Sequence, residues 1–243
     1  RANITSRGLT VLNKDSRFIV DAPNLTLTTS GLIGTGVIAI KSGKVFEINQ
    51  SGDSTFDGSL SDAGSLVKTG TGRLLLSGIH TITGEIAVTG GALSVNGTLE
   101  QANLNVGAFG RLEGSGTVGS VDVSGTVAPG NSPGTLTVAG DFTLNAASFL
   151  EVDVDGLEYS AAGGSGSYDR IILTNPASVF TANGTLQPIL RGITGAATNS
   201  FTPEYGDSFT VVTTANSSGV VGSFSSVAQP SSGLPANARF DVL

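Results

Sequence analysis

The residues of this chain that could support nucleophilic chemistry are two serines in Gly-Asp-Ser triplets, at 52–54 and 206–208. A serine on a tight turn can present its hydroxyl to a substrate, but it becomes a nucleophile only when a neighbouring base accepts its proton. The chain has a single histidine, His80, in the strand-like stretch Gly-Ile-His-Thr-Ile. We therefore predict that both triplets are turns and that His80 is a solvent-facing strand residue.

Three carboxylates, Glu151, Asp153 and Asp155, alternate with apolar residues. In a strand they share one face, and their oxygens could bind Ca²⁺, a hard cation. Carboxylates about 7 Å apart in one row cannot converge on one ion without help from another segment. Nothing distinguishes the environment of one carboxylate from that of another, as a glycosidase pair requires. The row is therefore interpreted as a solvated outer face.

A third candidate is the glycine-rich stretch 163–169, Gly-Gly-Ser-Gly-Ser-Tyr-Asp, which approaches the Gly-Gly-x-Gly-x-Asp calcium repeat. Its aspartate, Asp169, comes one position late, and there is no second copy, so the stretch is interpreted as a linker. Glycines elsewhere separate strands and do not open a helix, as a nucleotide-binding loop requires. The sequence thus predicts no catalytic residue, no metal site and no cofactor.

Composition excludes further classes of function. The 12 basic and 19 acidic residues give a formal charge of −7, which repels nucleic acid. Cysteine is absent, so disulfides, thiolate metal sites and cysteine nucleophiles are excluded. The 35 glycines and the low aromatic content (6%) indicate many turns and few bulky core residues.

The elements that must position these residues are short strands. From residue 25 to residue 154, apolar residues alternate in groups of two to four positions, and Gly, Asn, Asp or Ser separates the groups. Strands of three to five residues are short for a sandwich but fit a β-helix, in which each rung pairs with the next. We predict an all-β, right-handed parallel β-helix (solenoid) with very low helix content.

An internal repeat aligns residues 66–78 with residues 81–97, and a Pro-Gly-Asn-Ser-Pro-Gly turn follows at 129–134. The repeat resembles the passenger-associated transport repeat of bacterial autotransporters, the proteins of type Va secretion. Its first phrase is carried by Lys68, Gly70, Gly72, Leu74, Leu76 and Gly78, and its second by Gly90, Gly91, Leu93, Val95 and Gly97. The turn is similar to a segment near the end of autotransporter passengers.

Bulky residues concentrate after residue 165, together with five of the eight prolines. Sequence segments after residue 165 are similar to the autochaperone region, which in the family caps the β-helix and helps the passenger fold. We predict a β-helix stalk over residues 1–155 and a β-rich cap over 156–243, with the boundary placed to within 15 residues. The first 20 residues lack the features of a signal peptide, so the chain is expected to be a piece of a longer protein.

The resemblance implies a structural, non-enzymatic role: a stalk whose cap promotes folding after outer-membrane translocation, in a surface virulence factor or adhesin. The implied partners are the protein's own outer-membrane barrel and a host-cell receptor or matrix protein, with no nucleic acid, and a monomer is expected. The implied location is the bacterial cell surface or the medium, after passage through the periplasm and outer membrane. Two alternatives remain open: a host-cell or matrix binding module that uses the β-helix face, and a β-helix polysaccharide lyase or hydrolase.

Overall fold

The structure is a computed structural model that describes residues 2–5, 8–131, 133–158, 168–190, 201–217, 219–231 and 233–243. Within these residues the chain forms 28 strands and no helix. In chain order the strands are β1 (Ala2–Thr5), β2 (Leu9–Leu12), β3 (Arg17–Val20), β4 (Asn24–Thr29), β5 (Gly31–Gly34), β6 (Val37–Ile40), β7 (Val45–Gln50), β8 (Ser54–Phe56), β9 (Ser59–Ser61), β10 (Ser65–Thr69), β11 (Arg73–Leu76), β12 (Glu85–Val88), β13 (Gly91–Val95), β14 (Thr98–Leu99), β15 (Asn103–Val106), β16 (Gly110–Gly114), β17 (Thr117–Val118), β18 (Val121–Val123), β19 (Thr126–Pro129), β20 (Thr135–Val138), β21 (Phe142–Leu144), β22 (Phe149–Val154), β23 (Arg170–Leu173), β24 (Phe180–Ala182), β25 (Thr185–Leu190), β26 (Val212–Thr214), β27 (Val220–Gly222) and β28 (Ser226–Val227).

These strands coil into a parallel β-helix with three faces. The first sheet has the order β1-β4-β7-β10-β12-β15-β18-β21-β24-β27, and the second has the order β2-β5-β8-β11-β13-β16-β19-β22-β25-β28. The third face contains two sheets, β3-β6-β9 and β14-β17-β20-β23-β26. Each rung thus contributes one strand to the first sheet and one to the second before the chain rises to the next rung. The predicted all-β solenoid is confirmed.

The core follows from the alternation of apolar and polar residues along each strand. In β7, for example, Phe46 and Ile48 are buried, whereas Val45, Glu47 and Asn49 are partly exposed. Parallel pairing without a register slip places inward residues of successive rungs directly above one another, about 4.8 Å apart. One such ladder on the first sheet consists of Leu25, Phe46, Leu66, Ile86, Leu104, Val121, Phe142 and Phe180.

A column of glycines lines the corner between the second sheet and the third face. A Cβ atom at Gly78 would overlap the carbonyl oxygen of Gly58, and one at Gly97 would overlap that of Gly78. Gly58 and Gly116 meet the same obstacle from the rung before each of them. The backbones of successive rungs therefore approach too closely at this corner for any side chain.

The repeat phrase beginning at Lys68 has a physical explanation. Lys68 is fully buried in the ladder between Ile48 and Val88, and its Nζ donates to the carbonyl oxygens of Thr69 (2.7 Å) and Gly90 (3.4 Å) at the corner between the first two sheets. Burial lowers the pKa of this ammonium to about 8, although Asp53 acts to raise it. The lysine thus satisfies backbone carbonyls that the glycine-rich corner would otherwise bury without partners.

Charged side chains on the outer surface of the second sheet form a ladder across several rungs. Arg111 binds Glu151 (Nη2 to Oε2, 2.7 Å) and Glu113 (Nε to Oε2, 3.1 Å), and Glu113 also meets Arg73 (3.4 Å). Ala92 lies between the two arginines in the stack, so the side chains reach over it. We call Arg73, Arg111, Glu113 and Glu151 the ionic ladder.

The strands beyond residue 156 extend the same sheets. β23 pairs with β20 on the third face, β24 pairs with β21 in the first sheet, and β25 pairs with β22 in the second over six residue pairs. The change in composition near residue 156 therefore coincides with no change in strand direction or sheet membership among the described residues.

Replacing Gly78 by alanine is expected to destabilise the solenoid by about 3 kcal/mol, because the methyl group must displace the Gly58 backbone. Gly107→Ala is the matched control, since a Cβ there would lie at an ordinary 3.5 Å from the Val88 carbonyl oxygen. Urea unfolding of both variants measures the difference. Equal unfolding free energies for the two variants would contradict the assignment of close backbone contact to this corner.

Candidate functional site at the C-terminal end of the solenoid

The buried carboxylate of Asp169 joins three segments near the C-terminal end. Its Oδ1 accepts a hydrogen bond from the backbone N–H of Gly134 (2.6 Å), and its Oδ2 accepts one from that of Asp153 in β22 (3.0 Å). Asp169 also donates its own N–H to the Asp153 carbonyl oxygen (2.9 Å), and the residue is only 2% exposed. Hydrogen bonds to an ionised acceptor are stronger than neutral ones, so this clamp fixes the position of β23 against β22.

The Pro-Gly-Asn-Ser-Pro-Gly turn is the first of these segments. Gly130 has a φ of +82°, which glycine adopts without strain, and it exchanges two backbone hydrogen bonds with Gly114 of the preceding rung. Asn131 donates from Nδ2 to Ser115 Oγ (2.7 Å). At its other end, Gly134 donates to Asp169 and accepts from the N–H of Arg170 (2.9 Å). The turn thus ties an earlier rung to a later one.

Two groups of aromatic rings fill the C-terminal rungs. Phe142 and Phe180 stack with ring centroids 5.3 Å apart, and Phe224 lies 6.4 Å from Phe180. Phe209 is the centre of the second group, which it forms with three rings at 5.4 to 6.5 Å: Tyr168, Phe201 and Phe240. Such ring contacts add about 0.5–1.5 kcal/mol each beyond buried area.

Side-chain hydrogen bonds hold the final segment, which contains Ala236 and Phe240, against the end of the solenoid. Gln229 bonds both the N–H and the carbonyl oxygen of Phe240, each at 2.8 Å. The Tyr205 hydroxyl donates to the carbonyl oxygen of Ala236. These contacts hold the Phe240 ring against Phe209.

The C-terminal end nevertheless remains open. Among the described residues, β26, β27 and β28 each pair on one side only, so each presents an edge to solvent. A cavity of about 480 Å³ lies at this end, lined largely by apolar residues that include Val152, Leu186, Phe209, Val220 and Phe240. Open edges and an accessible apolar core are the features by which one rung accepts another.

Residues of the two Gly-Asp-Ser triplets, which the sequence predicts to be turns, make structural hydrogen bonds. Ser54 opens β8, and its Oγ accepts from the Leu32 N–H (3.0 Å) and from Gln50 Nε2 (3.1 Å). Asp207 closes a tight turn by accepting from the N–H of Glu204 (2.8 Å). The prediction that His80 faces solvent was wrong, because its side chain is 2% exposed and Ile79 points outward in its place. The inward and outward positions of Ile79 and His80 are thus the reverse of the predicted ones.

The predicted row of carboxylates is only partly a solvated face. Glu151 is half-buried in the ionic ladder, whereas Asp155 is 4% exposed, so the prediction was wrong for Asp155. The physical reason is that β22 ends at Val154, so the strand alternation no longer holds at Asp155.

In the part of the chain that the structure describes, no three potential metal-ligating residues lie together, and no helix could span a membrane. Residues 163–167 of the predicted linker lie outside the described residues.

Sequence reasoning missed the two buried charged groups with defined partners, Lys68 and Asp169. Lys68 offered a signal, since it occupies an inward position of the alternating pattern. Asp169 offered none, because its partners at Gly134 and Asp153 are 35 and 16 residues away.

Asp169→Asn is expected to destabilise the chain by about 2 kcal/mol, because the amide NH₂ must face one of two backbone N–H donors. Asp122→Asn serves as control, since Asp122 is exposed and its Oδ1 accepts only from the Asn145 side chain (2.7 Å) among the described residues. Urea unfolding gives the free energies, and hydrogen exchange at the amides of Gly134 and Asp153 locates the change. Unchanged protection of both amides would contradict the clamp.

Comparison with known proteins places this geometry in context. No family model matches the chain. It is 37% identical over 132 residues to the adhesin BmaC autotransporter of Brucella suis biovar 1 (54% of this chain, 4% of that protein). It is 40% identical over 97 residues to an extracellular serine protease of Serratia marcescens (39% and 9%), and 32% identical over 131 residues to the autotransporter adhesin/invasin TibA of Escherichia coli O78:H11 (54% and 12%).

The matched stretches are thus a small part, 4 to 12%, of the length of these relatives. They span up to about half of this chain, and the chain folds as a continuous parallel solenoid. Sequence likeness and fold are together those of an autotransporter passenger, and the names of the relatives indicate a location at the cell surface or outside the cell.

Proposed function

We propose that this chain is a stalk segment of the passenger, and that its C-terminal rungs, from about residue 156 onward, form first and act as the template on which the preceding rungs fold. The observation that carries this proposal is the concentration of aromatic packing within those rungs, and of an aromatic stack and clamping hydrogen bonds where they join the preceding rungs. We further propose that the passenger's own outer-membrane barrel is the partner that delivers the C-terminal rungs to the outside first.

The architecture explains why a template is needed. A single rung has only three short strands and cannot bury its inward residues alone. Its strands gain hydrogen bonds only when a neighbouring rung already presents an edge. Closing a rung of about 20 residues before it has a neighbour costs conformational entropy that no contact repays.

The C-terminal rungs are the best equipped to form without help. The β22–β25 pair matches six residues on each strand, as does β4–β7 nearer the N-terminus. Only the C-terminal pair adjoins the Asp169 clamp and both aromatic groups. The Phe209 group lies wholly after residue 156, so it can pack before any earlier rung is in place. The Asp169 clamp and the Phe142–Phe180 stack then fix the preceding rungs to it.

We propose no catalytic role for this part of the passenger. One relative is named as an extracellular serine protease, but the hydroxyl of Ser54 accepts from the Leu32 N–H of the preceding rung and from Gln50 of its own rung. The only histidine of the chain, His80, is buried with its Nδ1 accepting from the Leu60 N–H. Neither group meets the requirement of a nucleophile hydrogen-bonded to a base.

The direction of folding can be tested with two equally buried phenylalanines. Phe180→Leu, in the C-terminal rungs, is expected to slow refolding, with a φ-value above about 0.5. Phe56→Leu, in the N-terminal half, is expected to speed unfolding instead, with a φ-value below about 0.3. Stopped-flow refolding and unfolding of the complete chain measure both. A higher φ-value at Phe56 than at Phe180 would reverse the proposed order.

A second function, adhesion, is favoured by the names of two relatives, which are adhesins. We propose that the stalk surface contacts a host-cell receptor or matrix protein, and two exposed apolar side chains are the strongest contact candidates. Phe109 is 87% exposed in a turn, and Ile79 is 72% exposed. Exposed apolar side chains at a rim of polar residues are typical anchors of protein contacts.

The chain is expected to bind host cells or immobilised matrix proteins saturably, and Phe109→Ala is expected to weaken that binding about tenfold. The control is Phe149→Ala, which removes another partly exposed phenylalanine (42%) from the outer surface of the second sheet. Binding of labelled chain is measured by flow cytometry and by surface plasmon resonance. Non-saturable binding that both variants retain would count against a direct adhesive role.

A further inference from the structure

We propose that the coil around His80 is an acid-sensitive joint in the stalk, which opens when its imidazole is protonated. The joint consists of residues 79–83, which follow β11 in the chain. On the third face they are stacked between β9 of the rung before and β14 of the rung after. It goes beyond the proposed folding and adhesive roles and rests on neither.

The joint is the place where the third face is interrupted. β9 is the last strand of one sheet and β14 the first of the next. Residues 79–83 connect the two through backbone hydrogen bonds. Thr81 (2.9 Å) and Ile82 (3.1 Å) donate to the Leu60 carbonyl oxygen, Thr83 donates to that of Asp62 (3.0 Å), and His80 donates to that of Thr98 (2.8 Å). These residues form no regular strand, and Ile79 makes only an isolated bridge with Thr98, so opening of this coil does not require a strand to leave either sheet.

The side chain of His80 completes the connection in its neutral form only. Its Nδ1 accepts a hydrogen bond from the Leu60 N–H (3.1 Å), so the proton of the neutral ring resides on Nε2. Nε2 is buried and has no hydrogen-bond partner among the described residues. Protonation would place a second donor opposite the Leu60 N–H and a positive charge in an apolar core.

No neighbouring carboxylate offsets that charge. Burial is the sole cause of the shift that lowers the pKa of His80 to about 4. The flanking strands β9 and β14 contain no charged residue. Asp62, just after β9, is held by Lys41 (2.7 Å) and Arg17 (3.7 Å), and Glu100, just after β14, is exposed.

The other charged groups of the same and adjacent rungs are also directed elsewhere. Lys68 bonds backbone carbonyls at the opposite corner, Arg73 belongs to the ionic ladder, and Glu85 is exposed at the start of β12. In the preceding rung, Asp57 accepts from the Ser77 hydroxyl, Asp53 accepts from the Arg73 N–H (2.8 Å), and Glu47 accepts from the hydroxyls of Thr26 and Thr69. The joint therefore responds to the protonation of one group.

The sign of the effect follows from the two protonation states. With a pKa of 6.5 when unfolded and about 4 when folded, His80 binds its proton preferentially in the unfolded coil. Stability from the neutral ring is complete above pH 6.5 and is lost as the pH falls from 6.5 towards 4. Between pH 7 and pH 5 the folding equilibrium constant should fall about twentyfold from this group alone.

The first test is a pH titration of the wild-type chain by NMR, in which the single histidine gives one imidazole signal to follow. We expect the ring to remain neutral at pH 5.5, and to become protonated only as the amides of residues 79–83 lose protection from hydrogen exchange. A ring that titrates near pH 6.5 while those amides stay protected would overturn the proposal.

The second test compares wild type with His80→Asn, whose Oδ1 can accept the Leu60 N–H but cannot be protonated in this range. Between pH 7 and pH 5, the folding equilibrium constant of wild type should fall by a factor about twenty times larger than that of the variant. Urea unfolding at both pH values measures the two constants. Asp62→Asn is the matched control, which should retain the histidine-dependent loss. Equal acid losses in wild type and His80→Asn would overturn the proposal, and the titration decides alone if the variant does not fold.

Discussion

The constraint on which the whole structure depends is that every strand must be hydrogen-bonded to the rung before it and the rung after it, at one fixed spacing. That spacing stacks the inward side chains into ladders and brings the corner backbones close enough to exclude all residues except glycine. It also makes stability a property of neighbours, because a rung has no independent core. The high glycine content and the short strands are consequences of this one requirement.

The same requirement links structure to export. An elongating solenoid needs a first edge, and the C-terminal rungs combine the Asp169 clamp with two aromatic groups. The strands after residue 156 continue the sheets of the strands before it, so a neighbouring rung can pair with them without rearrangement. A secreted protein without disulfides can thus gain rigidity by propagation from one end.

The fold could be predicted from the sequence because its signal is local. Alternation such as that of Val45–Gln50 shows which residues face inward, and glycines mark the corners. The buried polar groups could not be predicted in the same way. A polar residue beside Ile79 favours the outward face, yet His80 keeps the inward phase of Leu76 and Ile82. Asp169 depends on partners that only the coiling brings near. Lys68 followed the pattern, but its role requires knowledge of the carbonyls around it.

The ionic ladder has a consequence for register. A strand that slips by two residues keeps its apolar side chains inward, so hydrophobic burial alone does not reject the error. If β16 slipped, Arg111 and Glu113 would move together, and the two ion pairs that they form with other strands, Arg111–Glu151 and Glu113–Arg73, would both be lost. The ionic ladder thus distinguishes the native register from a register shifted by two residues, which hydrophobic burial alone does not do.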